Sequence, residues 1–118
     1  MYSALHLSPM IPSYNVGATA NFFKDLLLFN IIRDEGSYVI LAKDNLTVHI
    51  LRAGDDIGEM EFYLEVDNVD SLWNTIKDKL TEMKVKPPFD REYGMREIHI
   101  IIPDTKTLLF VGQIIHQE

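Results

Sequence analysis

The order of hydrophobic patterns in the first half of the chain is repeated in the second. In "ALHLSPMIP" (4–12), Pro9 and Pro12 disfavour helix and predict an extended segment at a sheet edge, since proline donates nothing to a ladder. "NVGATANFFKDLLLF" then offers Asn15 as a helix cap, with Ala18, Phe22, Leu26 and Phe29 along one helical stripe. "NIIRDEGSYVILAKDNLTVHILRAGDD" gives three apolar runs broken by "DEG" and "KDN", which is the chemistry of a three-strand meander.

From Met60 the same order begins again. "EMEFYLEV" alternates with period two: Met60, Phe62, Leu64 and Val66 on one face, Glu61, Tyr63 and Glu65 on the other. Asp67 or Asn68 can cap "VDSLWNTIKDKLTEM", where Val69, Leu72, Trp73, Ile76 and Leu80 share a face. A weaker strand around 85–90 and strong ones in "MREIHIII" and "TLLFVGQII" complete the second set, with "PDTK" as a turn. The expected fold is α+β: two βαβββ modules, about 1–56 and 57–118, joined near "RAGDDIGE" into a single domain. Neither half is large enough to bury much surface alone.

Composition narrows the function. The 118 residues carry a net charge of −7, which argues against a nucleic-acid partner. There is no cysteine, so disulfides, thiolate nucleophiles and thiolate metal sites are excluded together. No apolar run has the length of a membrane span, and the N-terminal segment lacks signal-peptide character, so a cytoplasmic protein is expected. There is no phosphate-cradling glycine loop, no dinucleotide fingerprint and no credible Ser-His-Asp order. Trp73 reads as core, Arg96 as the partner of a neighbouring acid, and His99 as facing either a cleft or a partner chain. His6 and His116, near the termini, are uninformative.

Particular residues carry a family likeness. "SPMIPSYNVGATANFFKDLLLF" is similar to the proline-containing strand, aromatic-pair helix and "LGF" ending of the glyoxalase/bleomycin-resistance branch of the vicinal oxygen chelate superfamily. Here Leu28 stands where that ending has glycine. "YLEVDNVDSLW" and Tyr93-Gly94-Met95-Arg96-Glu97 resemble the second half of that branch, and Ile102-Pro103-Asp104 stands at its Asp-Pro-Asp-Gly turn, without the first aspartate or the glycine. The resemblance covers nearly the whole chain. It implies sheets curled around a cleft, usually in a homodimer, and includes both metal-dependent isomerases, lyases and dioxygenases and metal-free proteins that sequester a drug.

The resemblance also implies four metal-ligand positions per cleft. They fall on Ser8, His49, Glu61 and Leu109, or on Phe110 in place of Leu109 if the turn contains an insertion. Histidine and glutamate suit Zn, Ni, Mn or Fe, but two true ligands fall short of a three-ligand site. The leading expectation is therefore metal-independent binding of an antibiotic or amine-bearing metabolite, with no cofactor and no catalytic residue. Its cleft would be lined by Ser8, Met10, Thr47, His49, Leu51, Glu61, Tyr63, Glu65 and Leu109. The alternative is a divalent-metal lyase, isomerase or dioxygenase with His49 and Glu61 as ligands.

Overall fold

Asn15 and Asn68 occupy the same place in the two halves. Each has an extended backbone and a side-chain oxygen that accepts from an amide one turn on, Ala18 at 3.1 Å and Ser71 at 2.9 Å. Each satisfies a helix-start N–H that would otherwise lack a partner. The computed structural model describes residues 1–115, so His116 lies outside it. Its first module is β1 (Met10–Ser13), α1 (Val16–Asp25), β2 (Asn30–Asp34), β3 (Tyr38–Lys43) and β4 (Leu46–Arg52). Its second is β5 (Met60–Glu65), α2 (Val69–Ile76) with a 3-10 turn over Lys77–Lys79, β6 (Val85–Asp90), β7 (Met95–Ile101) and β8 (Thr107–Ile114).

The two modules share one topology. The sheets run β1-β4-β3-β2 and β5-β8-β7-β6, each with its first strand parallel to its last and the rest antiparallel. Even the irregularities correspond: the β2–β3 ladder shifts register between Ile31 and Arg33, and β6–β7 between Lys86 and Phe89. In the latter the prolines Pro87 and Pro88 fall inside the shift, on an edge strand where missing donors do least harm. Pro12 likewise sits on an edge strand.

Two elements differ from the sequence expectation. The first strand starts only at Met10, so residues 4–9 are not strand. The second helix ends at Ile76 rather than near Met83, yet Leu80 beyond the 3-10 turn is still buried. Helix and strand faces merge in one core that includes Phe22, Phe23, Leu41, Ile50, Ile76, Ile98 and Leu109. The β1–α1 corner is tied to the β7–β8 turn: Tyr14 N donates to Asp104 O at 2.8 Å, and Thr19 Oγ1 to Pro103 O at 2.8 Å. Arg96 bonds Asp90 at 2.7 Å and Asp70 at 2.8 Å, joining β7 to β6 and to the first turn of α2.

Candidate functional site

In both sheets one face packs under its helix and the other is open. On β4, Val48 and Ile50 face the core, which leaves Thr47, His49 and Leu51 half-buried on the open side. On β1, Ile11 and Ser13 are buried, and Met10, paired in register with His49, lies on the open side. Ser8 Oγ lies 2.7 Å from His6 Nε2, and both approach Thr47 Oγ1. His49 Nδ1 is 2.6 Å from Tyr38 Oη, with the two rings edge to face. Ser8, Met10, Thr47, His49 and Leu51 thus share the open side of the first sheet, together with Tyr38.

On the second sheet Glu61, Tyr63 and Glu65 are exposed on the open face while Phe62, Leu64 and Val66 pack against the core. Leu109 does not join them. It is fully buried in the core, and the open face of β8 is taken by its neighbours Leu108 and Phe110. The strand parity expected from "TLLF" is therefore off by one, and Phe110 occupies the open-face place that the resemblance implies for a fourth ligand.

The register then builds a row of rings. Tyr63 on β5 pairs with Phe110 on β8, and Phe110 with His99 on β7. Their ring centroids lie 6.2 Å and 4.2 Å apart, and Phe89 of β6 meets His99 edge-on at 5.0 Å. The row crosses all four strands. Glu61 and Glu65 flank its Tyr63 end, and Lys86 Nζ sits 4.1 Å from the Phe89 ring at the other. Glu61 also borders a groove of about 800 Å³ together with Lys84, Lys106, Ile101 and Leu108.

Beside the row, on the same face of β7 as His99, lies Glu97, completely buried. Its carboxylate accepts from Tyr63 Oη at 2.9 Å, Tyr93 Oη at 2.5 Å, Arg91 Nη1 at 3.0 Å and His99 Nε2 at 2.8 Å. Burial pushes its pKa up, but the hydrogen bonds from His99, Tyr93 and Tyr63 and the charge of Arg91 outweigh that and hold the carboxyl below its ordinary range. Burial and the bond to Glu97 together push the Tyr63 hydroxyl well above the usual tyrosine range, so it stays a donor. Sequence reasoning left Glu97, Tyr93, Arg91, Phe89 and Tyr38 out of the site. The signal available was the alternation of Met95, Glu97 and His99 against the buried Ile98 and Ile100.

As a metal centre the donor set does not fit within one chain. His49 and Glu61 belong to different sheets, His49 is engaged with Tyr38, and among the described residues no three His, Asp or Glu converge in a way that could hold a metal ion.

Solved structures carry the same architecture. An antibiotic-binding protein from a Streptomyces species superposes with a TM-score of 0.79 at 14% identity, over 97% of this chain and 99% of that one. A bleomycin-binding protein from Streptomyces verticillus, complexed with copper(II)-bleomycin, gives 0.71 at 19% identity, over 94% and 97%. The fold is that of the vicinal oxygen chelate superfamily. A lactoylglutathione lyase from Agrobacterium tumefaciens shares this vicinal oxygen chelate fold too, with a TM-score of 0.75 at 14% identity over 94% of each chain. No family model and no curated protein sequence matches the chain. Since vicinal oxygen chelate folds of such low identity serve both binding and catalysis, the chemistry has to be argued from this chain's own side chains.

Proposed function

We propose that the protein captures an organic small molecule, one with a flat ring system and an amine or other cationic group, without needing a divalent metal. The observation that carries this reading is the Tyr63–Phe110–His99–Phe89 row with carboxylates at one end. Ring faces attract both π-systems and cations. The charge of Glu97 is already matched by four donors, so Glu61 and Glu65, both exposed, are the carboxylates left to meet a cationic group. Structural neighbours that bind bleomycin or another antibiotic point the same way.

One chain leaves the row open to solvent; Tyr63 alone is 42% exposed. Small-molecule sites generally enclose most of their ligand. In this reading a second copy supplies the missing wall, from the side of its first sheet that carries Met10, Thr47, His49 and Leu51. The homodimer is thus part of the binding mechanism.

The test is a calorimetric titration of bleomycin, used as a cationic probe with flat rings, into chelator-stripped protein. Saturable binding is expected, weakened roughly two- to fivefold in Glu61→Gln and in Glu65→Gln, the range for an exposed charge pair. Affinity indifferent to both substitutions would remove the carboxylates from recognition.

A further inference from the structure

Gly112 lies in the middle of β8, paired in register with Glu65 on one side and Glu97 on the other. Its backbone does not require glycine: only Gly36 and Gly94 are glycines with positive φ among the described residues. A glycine inside a strand weakens it, by roughly 0.5–1 kcal/mol relative to alanine in such interiors. What glycine provides here is space. A Cβ at residue 112 would stand 1.8 Å from Tyr63 Oη and 2.6 Å from its Cζ, distances at which no side chain can coexist with the ring where it lies.

Tyr63 therefore runs diagonally over β8, through the gap at Gly112, to reach Glu97 on the third strand of the sheet. At Glu97 it meets Tyr93 on the same oxygen, Oε2, while Arg91 and His99 share Oε1. One buried carboxylate thus fixes Tyr63 and His99, which belong to the ring row, and Tyr93 beside it. A tyrosine held only by exposed contacts would sample several rotamers, and ordering it on binding would reduce affinity.

We propose that Glu97 and Gly112 are the positioning residues of the binding face: Glu97 anchors Tyr63, Tyr93 and His99 through its carboxylate, and the missing side chain of Gly112 is the passage through which Tyr63 reaches it. The proposal rests on the reading of that face as the ligand site. It assigns Gly112 a role in recognition although the residue has no side chain with which to touch a ligand.

The experiment combines a spectroscopic readout in free protein with a binding readout. In the unsubstituted chain, through-space NMR contacts are expected between the rings of Tyr63 and Tyr93, which share one carboxylate oxygen. Gly112→Ala should abolish them while preserving the folded amide spectrum, and should weaken bleomycin binding about tenfold. Tyr63→Phe keeps the ring and removes its bond to Glu97, and should weaken binding several-fold even if Gly112→Ala does not fold. Tyr63–Tyr93 contacts that persist in Gly112→Ala, or unchanged bleomycin affinity in folded Gly112→Ala or in Tyr63→Phe, would overturn the proposal. If the unsubstituted chain binds no bleomycin, the binding reading falls separately. In that case loss of the ring contacts in Gly112→Ala would still support the positioning role, and their persistence would overturn it.

Discussion

Phe110 lies against His99, with ring centroids 4.2 Å apart and planes inclined at 51°. The contact follows from register, because the two residues are direct partners across β7 and β8. It fills with hydrocarbon an open-face place where metal enzymes of this superfamily are expected to present a ligand atom. An aromatic side chain there has surface to offer a ligand but no lone pair for an ion.

Phe110→Ala should therefore weaken capture of a flat cationic ligand by about tenfold, through loss of stacking surface and of support for His99. Calorimetry against bleomycin measures it. Unchanged affinity would place the ligand away from the ring row.

Acid should loosen the fold through Glu97. Its folded pKa lies below the ordinary 4.5, so the folded state holds this proton less tightly than the unfolded chain does. The stability it contributes is present in full above 4.5 and is lost as pH falls through the lower folded value. Tyr63 and Tyr93 are shifted upward from 10.0, so their contribution is present below that value and is lost as pH rises beyond it. Urea unfolding at pH 7 and pH 3 should show a drop in midpoint at the acid end, and Glu97→Gln should show a smaller drop. Equal drops would mean that other carboxylates dominate.

Leu28 stands where the related "LGF" ending has glycine, and its φ is 61°, a left-handed conformation that a Cβ disfavours. It is also 63% exposed, so little packing offsets the strain. Relief of about 1–2 kcal/mol, less roughly 0.5–1 kcal/mol of extra chain entropy that glycine brings to the unfolded state, leaves Leu28→Gly more stable by up to about 1.5 kcal/mol. Chemical denaturation reads this directly; a less stable variant would show that the exposed leucine is held by something more than this chain.

Much of the fold was legible because period and turn chemistry repeat. The asparagine caps, the alternation of Met60 to Val66 and the breakers "DEG" and "KDN" each act locally, so local sequence reports them. The open faces were legible where alternation is clean, as on β4 and β5. On β8 it is not: Leu108, Leu109 and Phe110 are all apolar, so the sequence does not say which side each takes, and the ladder with β5 decides it. Glu97 was hidden for a different reason. A buried carboxylate is tolerated only by virtue of partners, and its partners come from β5, from the Arg91–Tyr93 stretch and from β7 itself. Its neighbour Arg96 reads correctly as an ion-pair residue because acids crowd that stretch of sequence, and its partners are Asp90, six residues before it, and the more distant Asp70.

The measurement that tests the central claim most directly is titration of Zn²⁺, Ni²⁺ and Mn²⁺ into chelator-stripped protein without bleomycin, which holds such ions itself, and with His49→Ala as control. The account predicts no saturable metal binding that depends on His49, and saturable bleomycin binding in the presence of a chelator. One tightly bound metal per chain, lost in His49→Ala, would contradict it and make His49 and Glu61 the core of a metal enzyme instead.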